Sequence, residues 1–188
     1  MARLFKTVCI LIAGVVWSGS AAWAEPVAAE ERVAIDLRRT TLIVSDIDTS
    51  LQFYRDALGF KVIYDQWIRN PRTARNDAQA TKSRRLVFVR ANDDYIGIIG
   101  LLQYTKPENA VRAPEPAEFS TGSAVLLFTT DDVDARFAKA MKVPGVRVIQ
   151  PPTDVEYPSY DGKAALAVRT SSMYDPDGFL IELNEFND

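Results

Sequence analysis

The stretch TTLIVSDIDTSLQFYRDALGF, residues 40–60, contains a complete strand-to-helix unit and decides the fold of the chain. Its first residues are β-branched and apolar, which is typical of a strand. Asp46 follows as the predicted N-cap of a helix, and Gly59 supplies the end of that helix. Apolar residues at steps of four, three and four form one helical face: Ile47, Leu51, Tyr54 and Leu58.

The same pattern returns 86 residues later, where alignment of Asp46 with Asp132 also aligns VSDID with TDDVD. In each half, three further strand-like segments follow the helix. The sequence therefore predicts an α+β fold of two tandem βαβββ modules, an internal duplication in which the second side of each sheet is left to form a concave surface. The predicted boundaries are module one 36–104, a linker rich in Pro, Ala and Glu at 105–121, and module two 122–188.

The first 24 residues have the layout of a secretory signal peptide. Arg3 and Lys6 precede the apolar run TVCILIAGVV, and small residues at Ala22 and Ala24 mark a cleavage site. The apolar run is about half the length needed to span a bilayer, so we expect no stable membrane anchor. Residues 25–35 are interpreted as a loose arm. The prediction is an exported protein, periplasmic or secreted.

The composition excludes several classes of function. Removal of residues 1–24 leaves 20 basic against 25 acidic residues, a net charge near −5, which does not favour nucleic acid as a partner. The single cysteine, Cys9, lies within the signal, and the chain has no histidine. The mature chain therefore lacks thiolate and imidazole groups for metal binding or for a nucleophile system.

Two segments, TTLIVSDIDTSLQFYRDALGF and YDPDGFLIEL (174–183), resemble the vicinal oxygen chelate superfamily. That group includes lactoylglutathione lyases, extradiol dioxygenases, fosfomycin-modifying enzymes and bleomycin-binding proteins. The resemblance covers about residues 36–186 and implies the paired βαβββ fold, with the sheets curled around a central cavity. Its metal-dependent members take ligands from the first and fourth strands of each module.

Those ligand positions fall, by the resemblance, at Arg39, Gly100, Val125 and Glu182. The register of Gly100 carries an uncertainty of one or two residues. Only Glu182 is a metal-capable side chain, and a cation at Arg39 would repel a divalent ion. We therefore predict no cofactor, with a divalent metal held by the oxygen donors Glu182, Gln103 and Asp175 as the alternative.

Strand alternation assigns residues to the cavity face of each sheet. The predicted ligand-binding residues are mostly aliphatic with a few polar groups, as small-molecule sites usually are. They are Thr41, Ile98, Leu102, Tyr104, Val125, Leu127, Leu180 and Asn184. A homodimer is a further expectation.

Arg39 and Glu182 are the two charges of the predicted cavity, and their role stays open between three interpretations. They form an ion pair, within the chain or across a dimer, whose loss would cost about 3–5 kcal/mol. Alternatively, Arg39 binds an anionic ligand and Glu182 orients it or moves a proton, as the catalytic residues of a lyase or isomerase. In the third interpretation Glu182 is simply solvated at a sheet edge.

Three other segments attract attention. The basic stretch IRNPRTARNDAQATKSRR, residues 68–85, is interpreted as a solvated loop, with an anion-attracting lid as the alternative. PPTDVEYPSYDG, residues 151–162, is predicted to be a loop whose Tyr157 and Tyr160 either clamp a flat ligand or anchor the loop. DPDG, residues 175–178, is interpreted as a turn and nothing more.

The function favoured overall is metal-independent binding of a small organic molecule.

Overall fold

Module one forms a four-stranded sheet, which we call sheet one, with a helix on one face. Its elements are β1 Arg39–Ile43, α1 Ile47–Leu51, continued by a π-helical turn Gln52–Ala57, β2 Lys61–Asn70, β3 Lys82–Arg90 and β4 Ile98–Lys106. The strand order is β1-β4-β3-β2, with β1 parallel to β4 and the other pairs antiparallel. These features come from a computed structural model, which describes residues 28–108, 121–158 and 165–186.

Module two repeats this plan as sheet two. Its elements are β5 Val125–Thr129, α2 Val133–Ala140, β6 Arg147–Pro158, β7 Ala165–Tyr174 and β8 Leu180–Phe186. The strand order is β5-β8-β7-β6, again with the first and last strands of the module parallel. The predicted tandem βαβββ architecture is confirmed.

The two helices begin at equivalent aspartates. Asp46 Oδ1 accepts a hydrogen bond from the Thr49 amide at 2.7 Å, and Asp132 Oδ1 accepts one from the Ala135 amide at 2.8 Å. Each cap satisfies an amide that has no partner within the helix. Gly59 ends the first helical segment at a φ of +85°, a left-handed conformation that favours glycine.

One hydrophobic core joins the modules on the helix side of both sheets. The predicted helical face is buried in it, together with Phe53, and further contributions come from Leu42 of β1, from Val44 just after it, and from Ile181 and Leu183 of β8. Phe60 of module one meets Phe128 of module two edge to face, with ring centroids 5.2 Å apart. The helical layers therefore pack between the sheets, and the second face of each sheet points away from the shared core.

The register of the parallel strands settles the alignment of the modules. Thr41 pairs with Gly100 in sheet one, and Leu127, its equivalent by the 86-residue offset, pairs with Glu182 in sheet two. Gly100 and Glu182 therefore occupy equivalent positions in the two sheets, as the family resemblance implied.

The predicted loop at residues 151–162 is wrong over its first eight residues, which belong to β6. The prolines Pro151 and Pro152 suggested a break, but they lie where the register with β7 shifts between Gln150 and Thr153. β6 is also the outermost strand of its sheet, where a missing amide donor is tolerated. Tyr157 lies on this strand, and Tyr160 is outside the described residues.

The remaining boundary predictions meet the structure only in part. β4 extends to Lys106, two residues into the predicted linker, and most of that linker is outside the described residues. The predicted signal peptide also falls outside them. Within the predicted arm, Ala29–Glu31 form a 3-10 turn, and Val33 and Ile35 are exposed. No helix in the described ranges is long and apolar enough to cross a membrane.

Candidate functional site

The candidate site is the face of sheet one that points away from α1, which we call the sheet-one face. Strand alternation turns Leu42 and Val44 into the core and leaves Thr41 and Ile43 on this face, where the Ile43 residue is 53% exposed. Across the sheet, Thr41, Gly100, Phe88 and Tyr64 form one row of paired residues. The predicted ligand-binding residues Ile98, Leu102 and Tyr104 lie on the same face of β4.

Arg39 lies over this row. Its guanidinium carbon is 4.2 Å from the centroid of the Phe88 ring. Phe88 in turn stacks on Tyr64, with centroids 4.7 Å apart and an interplanar angle of 22°. A guanidinium above an aromatic face is held by cation–π attraction. The result is a three-layer stack that crosses the sheet from β1 to β2.

Gly100 leaves the space that this stack needs. A Cβ atom at Gly100 would lie 3.2 Å from Arg39 Cδ and 2.8 Å from Thr41 Oγ1. The Arg39 side chain can therefore cross β4 because the residue between β1 and Phe88 has no side chain. Arg39 Nε also donates a hydrogen bond to Thr41 Oγ1 at 3.0 Å, which fixes the orientation of the guanidinium.

The predicted ion pair between Arg39 and Glu182 is not formed within the chain. Over residues 28–108, 121–158 and 165–186, Arg39 has no carboxylate within 4.0 Å. The physical reason is the packing of the modules, which places the two residues on faces that point away from a common core. Pairing of Arg39 with Glu182 across a dimer stays a prediction.

Glu182 lies on the corresponding face of sheet two and is partly buried. Its Oε1 accepts a hydrogen bond from Asn184 Nδ2 at 3.0 Å. Leu180 and Asn184 are buried, at 4% and 6% exposure, whereas Val125 and Leu127 on the edge strand are 48% and 52% exposed. The carboxylate is thus neither freely solvated nor paired with a cation in the described part of the chain.

The predicted site residues are therefore divided into two groups, one on each sheet. Arg39, Thr41, Ile98 and Leu102 are neighbours on sheet one. Val125, Leu127, Leu180, Glu182 and Asn184 are neighbours on sheet two. Within a single chain, the structure does not bring the two proposed catalytic residues together.

These residues do not fit the divalent metal that the family resemblance implies. Arg39 places a fixed positive charge at the first ligand position, and its stem passes over Gly100, the second position. Val125 has no donor atom. Glu182 alone is a ligand type that a divalent ion accepts, and such an ion needs several donors.

The alternative set of oxygen ligands is also not assembled. Gln103 Oε1 accepts from the Ile47 amide at 3.2 Å, and its Nε2 donates to the Ser45 carbonyl at 2.9 Å, so this side chain is used on the helix side of sheet one. Asp175 is buried at the module junction. Glu182 lies on the opposite face of its sheet from the shared core, which separates it from both.

The DPDG turn also joins the two modules, a role that was not predicted from the sequence. Tyr54 Oη donates to Asp175 Oδ2 at 2.8 Å, and Asp177 Oδ1 accepts from the Ser45 amide at 2.8 Å. Both contacts join module two to module one, so the turn is an inter-module clasp. The sequence feature that could have indicated this contact is Tyr54 on the predicted buried helical face, because a buried tyrosine hydroxyl needs a hydrogen-bond partner.

The basic segment at residues 68–85 is organised around its one acidic residue. Asp77 accepts from Arg69 Nε at 2.9 Å, Ser83 Oγ at 2.6 Å and Thr105 Oγ1 at 2.7 Å. These donors hold the pKa of Asp77 down at about 2. Arg85 turns to the helix side and pairs with Asp65 and Asp48. The segment is thus an anchored hairpin end, and two of its cations are neutralised.

Comparison with known proteins agrees with this architecture. The model of the Glyoxalase/Bleomycin resistance protein/Dioxygenase superfamily matches residues 36–183. Among curated proteins, no sequence matches the chain.

Two solved structures show the same fold at low identity, and a third is a weaker match. A glyoxalase family protein from Bacillus cereus is 15% identical with a TM-score of 0.63, over 86% of this chain and all of that one. The trypanothione-dependent glyoxalase I of Leishmania major is 20% identical with a TM-score of 0.50, over 81% and 87% of the two chains. An antibiotic-binding protein from Streptomyces is 24% identical with a TM-score of 0.48, over 83% and 100%. Since the family model spans most of the sequence and the fold agrees, the chain belongs to the Glyoxalase/Bleomycin resistance protein/Dioxygenase superfamily.

Proposed function

We propose that this protein binds a small organic molecule on the sheet-one face, without a metal ion. The observation that carries the proposal is the aromatic row of Phe88 and Tyr64 under a fixed guanidinium, beside exposed and half-buried aliphatic side chains. A mostly apolar surface with a few oriented polar groups is the usual make-up of a small-molecule site.

The donor set at the family's ligand positions supports metal independence. At these positions Arg39 is a cation, and Gly100 and Val125 have no side-chain atom that could coordinate a metal. The one metal ligand that remains is the carboxylate of Glu182. Elemental analysis of the purified protein tests this part of the proposal. Stoichiometric zinc, iron, manganese or nickel would contradict it.

Binding is tested with a neutral aromatic probe, 2-naphthamide, by isothermal titration calorimetry. Tyr64→Ala removes one ring of the stack and should weaken binding several-fold, because a stacked ring is worth about 1 kcal/mol. Tyr95→Ala is the matched control, since Tyr95 is also exposed but stacks under Arg38 instead. Equal effects of the two variants would show that the probe binds elsewhere.

An enzyme that uses Arg39 and Glu182 on one substrate is the alternative. It needs the two residues close to one another, and within the chain they lie on different sheets. A second copy would have to bring them together, so catalysis by this pair depends on a dimer.

A homodimer is part of the proposal, with the second faces of the sheets in contact. Ile43 on β1, and Val125 and Leu127 on β5, are about half exposed on those faces, and a second copy would cover them. Sedimentation equilibrium should detect a dimer that Leu127→Asp weakens. Val33→Asp, a change on the exposed arm, is the control and should leave association unchanged.

Export is proposed from the sequence of residues 1–24. The basic start, the apolar run and the small residues before Glu25 support it. Expression in a bacterial host with fractionation and intact-mass measurement tests it. A periplasmic product that begins at Glu25 is expected, and a full-length cytoplasmic product would contradict the proposal.

A further inference from the structure

We infer that the ligand of the sheet-one face is a carboxylate, bound through its anionic group by Arg39. This inference rests on the proposed function and specifies the class of molecule. The juxtaposition that carries it is a guanidinium fixed above an aromatic row with no acidic partner among the described residues.

The first step of the argument is that Arg39 is held in place before any ligand arrives. Phe88 supports the guanidinium from below, Thr41 accepts from its Nε, and Gly100 gives the side chain its path. A side chain that is already ordered loses little conformational freedom on binding, which favours affinity. The two terminal NH2 groups are the donors that remain for a ligand.

The second step is the contrast with other arginines of the chain. Arg69 and Arg85, whose side chains are largely buried, each donate to aspartates at 2.7–2.9 Å, and Arg55 pairs with its neighbour Asp56 at the surface, so the positive charges of all three are compensated. Arg39 has no such contact within the described ranges, and the surface around it is largely apolar. An uncompensated guanidinium there attracts an anion from solution.

The third step concerns the shape of the anion and of the body attached to it. The planar fork of a guanidinium matches a carboxylate with two parallel hydrogen bonds. Tyr64, at the far end of the stack, offers exposed aromatic surface, and Leu86, Leu102 and Ile43 line the next row of the sheet. The ligand class that satisfies both features is a carboxylate on a flat or aliphatic body.

The experiment compares 2-naphthoate with its neutral isostere 2-naphthamide by isothermal titration calorimetry at pH 7.5. Wild-type protein should bind the carboxylate about tenfold or more tightly than the amide, as expected for a hydrogen-bonded charge. Arg39→Gln should abolish this preference, so that naphthoate binds no more tightly than naphthamide. Arg39→Lys should restore only part of it, because lysine keeps the charge but lacks the planar fork.

Arg38→Gln is the matched control. It makes the same change of net charge one residue away, and Arg38 stacks on Tyr95 with its guanidinium 4.6 Å from the ring centroid. The preference should survive in this variant. Circular dichroism and thermal unfolding of each variant confirm that the fold is intact.

The outcomes separate the inference from the proposed function. Equal binding of both compounds to wild-type protein overturns the inference and leaves small-molecule binding standing. A preference that persists in Arg39→Gln overturns it as well, because the anion then binds elsewhere. No binding of either compound contradicts the proposed function itself. Loss of dimerisation in both Arg39→Gln and Glu182→Gln, with no preference for naphthoate, shows that Glu182 of a second copy is the anion that Arg39 binds.

Discussion

Tyr54 and Asp175 are 121 residues apart in sequence, and their side chains meet in a 2.8 Å hydrogen bond between the two modules. Asp175 is fully buried and also accepts from the Asp177 and Phe179 amides at 3.0 and 2.8 Å. Burial is the largest influence on this carboxyl and raises its pKa to about 6, against the opposing effect of its donors. Burial and Asp175 together raise the pKa of Tyr54 well above its ordinary value.

Stability should therefore fall as the pH rises through the range set by Asp175. Because its pKa is higher in the folded state than in the unfolded state, the contribution is fully present below about pH 4 and is lost by about pH 6. A shift of this size corresponds to about 3 kcal/mol. Urea unfolding at a series of pH values should show this decline in wild-type protein, and Asp175→Asn should remove it. An identical slope in the variant would contradict the assignment.

Removal of the Tyr54 hydroxyl should extend that pH range upward. Tyr54 donates to the carboxylate and so lowers the pKa of Asp175, and Tyr54→Phe takes this donor away. We expect a loss of about 1–3 kcal/mol at neutral pH, since a buried charge loses one hydrogen bond. The decline in stability should continue above pH 6. Phe53→Leu, a neighbouring core change without a polar group, should lower stability without moving the pH range.

A side chain at Gly100 should disturb the Arg39 stack. The added methyl group of Gly100→Ala would meet Thr41 Oγ1 at 2.8 Å and Arg39 Cδ at 3.2 Å. We expect the preference for naphthoate over naphthamide to fall toward that of Arg39→Gln, with a stability loss of about 1–2 kcal/mol.

Gly97→Ala is an informative contrast. Gly97 has a φ of +70° and nothing near its missing Cβ, so this change strains the backbone without touching Arg39. Stability should fall in this variant and the ligand preference should stay. A loss of preference in both variants would mean that general loosening of β4 is responsible.

Asp77 should control the access of proteases to the hairpin end. Asp77→Ala leaves Arg69, Ser83 and Thr105 without their acceptor. Local opening should become easier by about 1–2 kcal/mol, so trypsin should cleave after Arg72 and Arg75 about tenfold faster. Asp56→Ala, which removes an exposed partner of Arg55, should leave the cleavage rate unchanged.

Glu182→Gln should change stability little. Glu182 accepts from Asn184 and has no cation within 4.0 Å in the described chain, so a glutamine can keep the hydrogen bond. We expect a change of about 1 kcal/mol or less in dilute, monomeric protein. A loss of about 3–5 kcal/mol that grows with protein concentration would instead indicate a buried pair with Arg39 of a second copy.

Local pattern was enough to predict the modules, because a buried helical face and an alternating strand each produce a periodic order of apolar residues close together in the sequence. Ile47, Leu51 and Tyr54 show this, whereas the equivalence of Gly100 and Glu182 was implied by the family resemblance. The stack of Arg39 on Phe88 could not be predicted from the sequence, because it depends on the pairing of β1, β4 and β3 across some 49 residues.

Two errors have a common physical origin. Asp175 and Asp177 were predicted only as turn residues, because a local turn pattern gives no information about hydrogen-bond partners in another module. Pro151 and Pro152 satisfy a local rule for breaks, which an outermost strand with a shifted register does not obey. In both cases the tertiary environment decides what a local signal means.

The irregular outer strands have a consequence for behaviour at high concentration. β2 and β6 carry register shifts, β6 also carries three prolines, and the opposite edges of the sheets are strands of only five residues. The edges at β1, β5 and β6 therefore present no long, regular row of free backbone groups to another molecule, whereas β2 keeps an unbroken register from Tyr64 to Asn70. Fibre-like growth by strand addition is disfavoured at three of the four edges, and copies that associate there would have to meet through the faces of the sheets.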